Sequence, residues 1–319
     1  MHKKTATSSL PLASPKAASS GADSRNVYRE PPRQNICIVD ALPVPLAFPC
    51  PDKSKILFVQ SAPLPQIELL AEPIAQLAGT RISARTHSVQ RRSQNVRMWV
   101  YDLRGNRNTE ICALPLAFYH PVWSPDSRKI AFQVKVRTCV ELWVADAAAG
   151  TSKRLGDARL NNILTDGEGY SWLADSRTLF AMLVPDTHKK PPNPPEHPEG
   201  PIIKEAAGKK SQLRTFQDLI SSSTDEATFA HFATSQLSFI NTDTGEVTKA
   251  AKPDLYEWAC VSPDGCHILV KRLRRPFSYR VPYDWFAASF EVLSRNGVLE
   301  ETIAVRDTQD EVVNGVVIP

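Results

Sequence analysis

The side chains that could carry nucleophilic chemistry in this chain do not form a recognisable pair. Serine and cysteine nucleophiles need a neighbouring base, and many serine hydrolases place the serine in a Gly-x-Ser-x-Gly turn. The 319-residue chain contains no such turn, and Gly150-Thr-Ser152 is followed by Lys-Arg in a predicted hairpin turn. None of the seven histidines pairs recognisably with a serine or cysteine: His2, His87, His120, His188, His197, His231 and His267. The sequence therefore predicts no catalytic residue.

Metal and nucleotide sites receive no better support from the sequence. His188 and His197 lie in a Pro-rich stretch, whose extended backbone offers no fixed face to gather ligands. Asn241-Thr-Asp-Thr-Gly-Glu246 fails the spacing of a calcium loop and predicts a hairpin turn. Gly208-Lys-Lys-Ser211 resembles the end of a phosphate loop, but no strand leads into it. We expect no metal site and no cofactor.

Composition narrows the class of protein further. The net charge of +4 is small and the basic residues are mostly interleaved with acids, which argues neither for nor against a nucleic-acid partner, and we expect none. No apolar run reaches the ~18 residues of a membrane span, so we expect no membrane contact. The cysteines show no Cys-x-x-Cys spacing and are predicted to be small buried residues in a reducing compartment. They are Cys37, Cys50, Cys112, Cys139, Cys260 and Cys266.

Two turn-and-strand patterns alternate along the chain and indicate how its side chains are positioned. In the first, typified by Trp123-Ser-Pro-Asp126, an aspartate stands four residues before Ile or Leu. Proline sets φ in the turn and the aspartate accepts from nearby backbone N–H groups, after which an apolar run enters a sheet. The four copies are marked by Asp52/Ile56, Asp126/Ile130, Asp175/Leu179 and Asp264/Ile268.

In the second pattern an apolar strand ends at Asp, Asn or Ser, and a glycine follows a few residues later. Its copies are Met98–Asp102 with Gly105, Leu142–Asp146 with Gly150, Leu237–Asn241 with Gly245, and Phe290–Ser294 with Gly297. An inner hairpin followed by an outer hairpin makes a four-stranded blade. The pattern resembles blades of the TolB and prolyl-oligopeptidase type. We therefore predict an all-β fold, a partial β-propeller of roughly four blades.

The ends and the interruptions of this pattern define the predicted domains. Residues 1–27 are Ser-rich and acid-poor, which fits either a disordered tail or a transit peptide. The first interpretation leaves the protein in the cytoplasm, and the second directs it to the plastid stroma or a mitochondrion. Residues 28–319 form the incomplete propeller, interrupted by a Pro-rich insert at 185–212.

Four local features lie between the predicted blade strands. Short helices are predicted near Ile67–Ala71 and at Asp225–Phe232. A basic stretch carries Arg85, Arg91, Arg92 and Arg97. A second basic stretch, Lys271–Arg280, has two interpretations: a surface for an anionic partner, or a solvated edge strand, which we favour.

Several longer phrases resemble the chloroplast-type glutamyl endopeptidases, of the prolyl oligopeptidase class of serine peptidases. They are Tyr28-Arg-Glu-Pro-Pro32, Ile38-Val-Asp-Ala-Leu-Pro43, Leu213-Arg-Thr-Phe-Gln-Asp-Leu-Ile220, Ala233-Thr-Ser-Gln-Leu237 and Arg275-Pro-Phe-Ser-Tyr279. Members of that family carry a propeller and then an α/β-hydrolase domain with the Ser, Asp and His of the active site. The resemblance therefore implies the N-terminal propeller region of such an enzyme, with no catalytic residue to carry over to this chain.

The resemblance also implies a function and partners. In family members the propeller gates the access of substrates, so we expect a non-catalytic portion that is inactive alone. Its partner would be a peptide or protein substrate if the chain is joined to a hydrolase domain. The alternative is a stand-alone propeller-like module for protein interaction. An open blade edge further predicts self-association and a chain that is marginally stable alone.

Overall fold

The computed structural model describes residues 30–111, 117–165, 168–186, 190–193, 216–309, 312–313 and 316–317. The chain divides into two compact units, Met1–Ala41 and Leu42–Pro319. The described part of the first unit contains helix α1 (Arg33–Val39), which has no buried residue and was not predicted. All further elements belong to the second unit.

The first half of the second unit contains eleven strands and one helical turn. In chain order they are β1 (Leu46–Pro49), β2 (Lys55–Ser61), α2 (Ile67–Leu70), β3 (Ala75–Leu77), β4 (Thr80–Ser83), β5 (Ser88–Val89), β6 (Asn95–Asp102), β7 (Arg107–Glu110), β8 (Phe118–Trp123), β9 (Lys129–Lys135), β10 (Val140–Asp146) and β11 (Ser152–Arg159). Strands β1, β2, β6 and β7 and strands β8–β11 make two four-stranded groups, here called the first and second sheets. The pairing of Asn95 in β6 with Phe118 in β8 joins the two groups into one hydrogen-bonded sheet of eight strands. Strands β3–β5 make a small separate sheet, the insert sheet, between β2 and β6.

The second half repeats the same arrangement. It contains β12 (Tyr170–Trp172), β13 (Thr178–Leu183), α3 (Ser223–Ala233), β14 (Gln236–Asn241), β15 (Val247–Lys249), β16 (Tyr256–Val261), β17 (His267–Leu273), a 3₁₀ turn (Tyr283–Trp285), β18 (Ala288–Ser294), β19 (Leu299–Arg306), β20 (Val312–Val313) and β21 (Val316–Val317). Strands β12–β15 form the third sheet and β16–β19 the fourth, all antiparallel. The two predicted helices are confirmed as α2 and α3.

The four sheets stack face to face in chain order, and each pair of neighbours shares one apolar cluster. Leu57 and Met98 of the first sheet pack in one cluster with Phe132 of the second. Leu142 and Leu179 belong to the cluster between the second and third sheets. A further cluster joins the third sheet to the fourth. Stacked four-stranded antiparallel sheets are the arrangement of propeller blades, so the predicted all-β, propeller-type fold is confirmed, while the total number of blades stays a prediction.

Burial along the strands follows from this stacking. Strands β9 and β13, in the middle sheets, are buried on both faces, which explains their unbroken apolar runs. Strand β17, in the fourth sheet, alternates between buried and partly exposed residues. Its sheet therefore leaves one face open, where Trp258 is 47% exposed and Phe290 is partly exposed.

The repeated turns also join neighbouring sheets through matching hydrogen bonds. The indole Nε1 of Trp123 donates to the carbonyl of Phe48 at 3.0 Å, and Trp172 repeats this contact to Val122 at 3.1 Å. The backbone N–H of Asp52 donates to Oγ of Ser127 at 3.1 Å. Each contact links a turn to the equivalent turn of the next sheet, so the repeated sequence pattern stabilises the stack as well as each hairpin.

The junction between the third and fourth sheets uses a different contact. In the turn of the fourth sheet, Val261 stands where the third sheet has Trp172, and Gly265 stands where it has Ser176. Neither side chain can form the hydrogen bonds of the earlier junctions. Instead the guanidinium of Arg295 lies 4.0 Å from the ring centroid of Phe239 in the third sheet, a cation–π contact.

Replacing Ser176 by alanine tests the contribution of the turn contacts. Its Oγ accepts from the backbone N–H of Asp126 at 3.0 Å, and we expect the loss of this bond to lower the free energy of unfolding by about 1 kcal/mol. Urea unfolding measures the effect. Ser127→Ala, at the preceding junction, should cost the same, and the two losses should add. Unchanged unfolding in both variants would contradict the contact's role.

A further apolar cluster, here called the cap, is built mainly from the segments that connect the strands of the four stacked sheets. It contains Ile82 of the insert sheet, Phe229 and Phe232 of α3, and Phe277 and Phe286 from the connection between β17 and β18. Backbone bonds reinforce it, because Tyr283 N–H donates to Ala78 O at 2.9 Å and Gly79 N–H to Asp218 O at 2.8 Å. The cap thus ties connections of the first, third and fourth sheets directly to one another.

Helix α3 begins at Ser223, two residues before the predicted start at Asp225. The Oγ of Ser222, the N-cap residue, accepts from the backbone N–H of Asp225 at 3.1 Å, and Asp225 and Glu226 lie in the first turn. Phe229 and Phe232, three residues apart, bury the same face in the cap. Among the helices that the structure describes, none is long and apolar enough to cross a membrane.

The prediction that the cysteines are buried is wrong for most of them. Cys50 is buried and Cys139 is partly buried, whereas Cys37, Cys260 and Cys266 are exposed. Cys260 lies on the open face of the fourth sheet, which no neighbour covers among the described residues, and this explains its exposure. Cys112 lies outside the described residues, as does most of the Pro-rich insert at 185–212.

Candidate functional site

The aspartates of the repeated turns accept hydrogen bonds from the backbone of their own turns. In one turn Oδ1 of Asp52 accepts from the backbone N–H of Ser54 at 2.9 Å and from its hydroxyl at 2.7 Å. A hydrogen bond from the thiol of Cys50 is the largest of several that lower the pKa of Asp52. The hydroxyl of Ser262 likewise lowers the pKa of Asp264. Both carboxylates are therefore ionised acceptors at neutral pH.

Two of the described histidines pack on the same phenylalanine ring, and His267 forms an ion pair of its own. The ring centroid of Phe232 lies 5.4 Å from that of His87 and 5.0 Å from that of His231, both in edge-to-face arrangements. His267 faces Glu300 at 3.3 Å in an exposed pair. The described residues contain no group of three or more His, Cys, Asp or Glu placed to hold a metal ion. His188 and His197 lie outside the described residues.

The interpretation of Lys271–Arg280 as a solvated edge strand is wrong. Strand β17 runs between β16 and β18, so it is interior to its sheet. Its cations are held by acids on neighbouring segments: Lys271 Nζ lies 2.5 Å from Glu257, and Arg272 lies 2.5 Å from Glu291. A partly buried strand with two cations needs such partners, because an unpaired charge there would be costly.

A cleft of 640 Å³ lies beside the insert sheet and is the candidate site of this chain. Its walls come from α2 and the residues that follow it, the loop between β4 and β5, the start of β6, and the adjoining parts of β8 and β9. Leu69, Pro73, Val96 and Val136 supply apolar surface. Its volume lies within the range of about 300–1,000 Å³ that is usual for binding pockets.

An ion pair lies in the wall of this cleft. Lys135 Nζ lies 2.5 Å from Oε2 of Glu72, and the two side chains are only 11% and 10% exposed. The other carboxylate oxygen of Glu72 accepts from the hydroxyl of Ser83, which in turn accepts from Thr86 at 2.8 Å. Both oxygens of Glu72 are thus engaged, so this carboxylate is not available to neutralise other cations in the cleft.

Tyr119 lines the cleft and carries an unusual polar group. The side chain is 5% exposed, and its hydroxyl is buried without a hydrogen-bond partner. Burial is the main cause that raises the pKa of this phenol, so the hydroxyl keeps its proton at neutral pH. The guanidinium carbon of Arg91 lies 5.1 Å from the ring centroid. A buried donor without an acceptor costs about 1–3 kcal/mol and calls for an explanation.

The backbone around Tyr119 is irregular. The register of β8 against β9 shifts between Tyr119 and Val122, and His120 between them has a φ of 48°. The hydroxyl of Tyr170 in the third sheet donates to the carbonyl of His120 and holds this bulge. Bulges redirect side chains and are frequent beside functional sites, so the bulge in β8 supports the choice of this cleft as the candidate site.

Sequence reasoning missed this site, although one signal for it is present. The basic stretch from Arg85 to Arg97 is dispersed by the fold: Arg85 lines the cleft, Arg91 lies over Tyr119, and Arg97 pairs with Glu110 at 2.6 Å. A run of cations without interleaved acids is such a signal. The partners on β8 and β9 come from a separate part of the chain and carry no motif.

The chain was compared with known proteins by family, by structure and by sequence. No family model matches it. By structure it is similar to an acylaminoacyl peptidase from Pyrococcus horikoshii, with 15% identity, a TM-score of 0.46, and coverage of 84% of this chain and 33% of that one. It is also similar to the β-propeller domain of the Trilobed protease from Pyrococcus furiosus, with 16% identity, a TM-score of 0.40, and coverage of 82% and 56%.

By sequence the chain is similar to two curated relatives, each described as a probable chloroplastic glutamyl endopeptidase. The protein from Oryza sativa subsp. japonica is 32% identical over 286 residues, which cover 85% of this chain and 30% of that protein. The protein from Arabidopsis thaliana is 32% identical over 285 residues, which cover 85% and 29%. The resemblance to the propeller region of the glutamyl endopeptidases is therefore confirmed, for a chain that spans about 30% of the length of these relatives.

Proposed function

We propose that this chain is the propeller portion of a serine peptidase of the glutamyl endopeptidase type. Its role is non-catalytic: it restricts which substrates reach an active site carried by another domain. The observation that carries the proposal is the 32% identity over 85% of this chain to proteins described as glutamyl endopeptidases. The absence of a Gly-x-Ser-x-Gly turn from the sequence supports the non-catalytic part.

A gate of this kind needs rigidity rather than acid–base chemistry. Apolar clusters between successive sheets and matching turn contacts support a rigid stack. The cap supports it further, because it joins connections of the first and fourth sheets. Peptides and unfolded segments would pass such a structure, whereas folded proteins would not. The relatives are described as chloroplastic, and with the transit-like N-terminus this supports a plastid stromal location.

A domain exchange tests this function. The matching segment of the Oryza sativa relative is replaced by this chain, and the chimera is assayed with a short Glu-containing peptide and with a stably folded protein. We expect cleavage of the peptide and not of the folded protein. The same chimera with its catalytic serine replaced by alanine is the control. Cleavage of folded protein by the active chimera would overturn the gating role.

The isolated chain provides the second arm of the test. Incubated with the same peptide and with a serine-reactive fluorophosphonate, it should neither hydrolyse the peptide nor become labelled. Labelling at any serine would show that the chain is itself an enzyme.

The alternative function, a stand-alone interaction module, is favoured by the open face of the fourth sheet. Trp258, Phe290 and Val292 lie on that face with partly or largely exposed side chains. Light scattering on the isolated chain distinguishes the two functions. A chain that forms a stable dimer and fails to support activity in the chimera would be a self-associating module.

A further inference from the structure

The cleft beside the insert sheet combines several hydrogen-bond donors that have no acceptor. Arg85 and Arg137 line it with exposed side chains, and neither has an ion pair or hydrogen bond among the residues that the structure describes. The buried hydroxyl of Tyr119 is a third donor without a partner. All three groups donate, so the group that would satisfy them is an acceptor.

The charges around the cleft favour an acceptor that is negative. Its lining contains three cations and two carboxylates, since Arg85, Lys135 and Arg137 face Glu68 and Glu72. Glu72 and Lys135 neutralise each other in their ion pair. The two remaining cations, Arg85 and Arg137, outnumber the one remaining carboxylate, Glu68, so the surplus charge of the lining is positive.

The geometry of the donors and the apolar part of the lining together favour an organic carboxylate as the ligand. A planar guanidinium matches a carboxylate with two parallel hydrogen bonds, and a phenol hydroxyl adds a third donor. The apolar lining from Leu69, Pro73, Val96 and Val136 suits the carbon chain that carries such a group. A bare inorganic anion would leave that apolar surface without a contact.

We propose that this cleft is a carboxylate-binding site for peptides, in which Arg85, Arg137 and Tyr119 bind the carboxylate group. The carboxylate belongs either to an acidic side chain or to the C-terminus of the peptide. The bulge at His120 places Tyr119 at this point of β8. The site goes beyond the proposed gating role, because it rests on side chains of this chain alone.

Fluorescence anisotropy with the full chain and labelled hexa-alanine peptides tests the site. One peptide has blocked ends and a central glutamate, the second has glutamine at that position, and the third has no acid but a free C-terminal carboxylate. We expect the glutamate peptide or the free-carboxylate peptide to bind at least about tenfold more tightly than the blocked glutamine peptide, and the tighter one identifies the source of the carboxylate.

Three variants assign the binding to the cleft. In the double variant Arg85→Gln and Arg137→Gln, the affinity for the carboxylate peptide should fall to the affinity for the glutamine peptide. Tyr119→Phe should weaken the binding of the carboxylate peptide about tenfold. The fold is retained, because this substitution removes only a hydroxyl that has no partner. Arg104→Gln, in the exposed hairpin between β6 and β7, is the matched control and should change nothing.

Three results would overturn the proposal. They are equal binding of all three peptides, unchanged binding in the double variant, and displacement of the peptide by inorganic phosphate at the concentration at which acetate displaces it. The last result would mean a general anion site. Failure of the chimera to cleave peptides, with peptide binding intact, would count against the gating role and leave this site standing.

Discussion

Replacing Gly297 by alanine is expected to lower the free energy of unfolding by about 3 kcal/mol. Gly297 has a φ of 76° in the turn between β18 and β19. A Cβ there would lie 2.3 Å from the carbonyl oxygen of Ala250 and 2.4 Å from Cα of Ala251, both at the end of the third sheet. Backbone atoms cannot move aside without separating the two sheets. Urea unfolding followed by circular dichroism measures the loss.

Gly265 provides a matched control for the backbone conformation. Its φ of 74° is nearly the same, but the nearest atom to an added Cβ is Nη1 of Arg295 at 3.3 Å, at the end of a flexible side chain. Gly265→Ala should therefore cost only the left-handed backbone strain, about 1 kcal/mol. Equal losses in the two variants would show that close packing of sheets at Gly297 is not what requires glycine there.

Replacing Phe229 by alanine is expected to cost about 3–5 kcal/mol, the range for a large aromatic residue removed from a core. The side chain is 0% exposed and lies at the centre of the cap. Its ring centroid lies 5.4 Å from that of Phe277 and 6.0 Å from that of Phe286, both edge to face. Since Phe277 and Phe286 lie in the connection between β17 and β18, limited proteolysis should first cut this connection.

Trp258→Ala is the control for this prediction. Trp258 is a large aromatic residue of the fourth sheet, but it is 47% exposed on the open face. Its removal should cost less, about 2 kcal/mol, because about half of this residue's surface is already exposed. If Phe229→Ala cost no more than Trp258→Ala, or if proteolysis attacked the sheets first, the cap would not be what holds the connections together.

The repeated turns could be predicted from the sequence because their interactions are local. Asp52 accepts from Ser54 two residues away, and Asp175 accepts from Arg177 and Thr178 two and three residues away. Proline, aspartate and glycine restrict the backbone at each turn wherever the chain lies. The alternation of two such turns was enough to predict four-stranded sheets in the right order, as well as the propeller class.

The sequence alone could not show how the cations of Lys271–Arg280 are used. Arg272 pairs with Glu291 nineteen residues later, and the partner of Arg275 is Glu226, forty-nine residues earlier. In the sequence these cations have no acid close by, which favours the interpretation as a solvated edge strand. Only the positions of β16, β18 and α3 in three dimensions decide that these charges are paired.

The sequence by itself therefore determined the turns, most strands, helix α3 and the resemblance to a peptidase propeller. The tertiary structure alone decided the cap and the cleft. Both are assembled from connections whose contacts span long stretches of chain, as with Ala78 and Tyr283 in the cap. In the cleft, Arg85 of the insert and Tyr119 of β8 are brought together by packing of the first two sheets. Such contacts depend on where each sheet lies in the stack, which no local pattern of residues encodes.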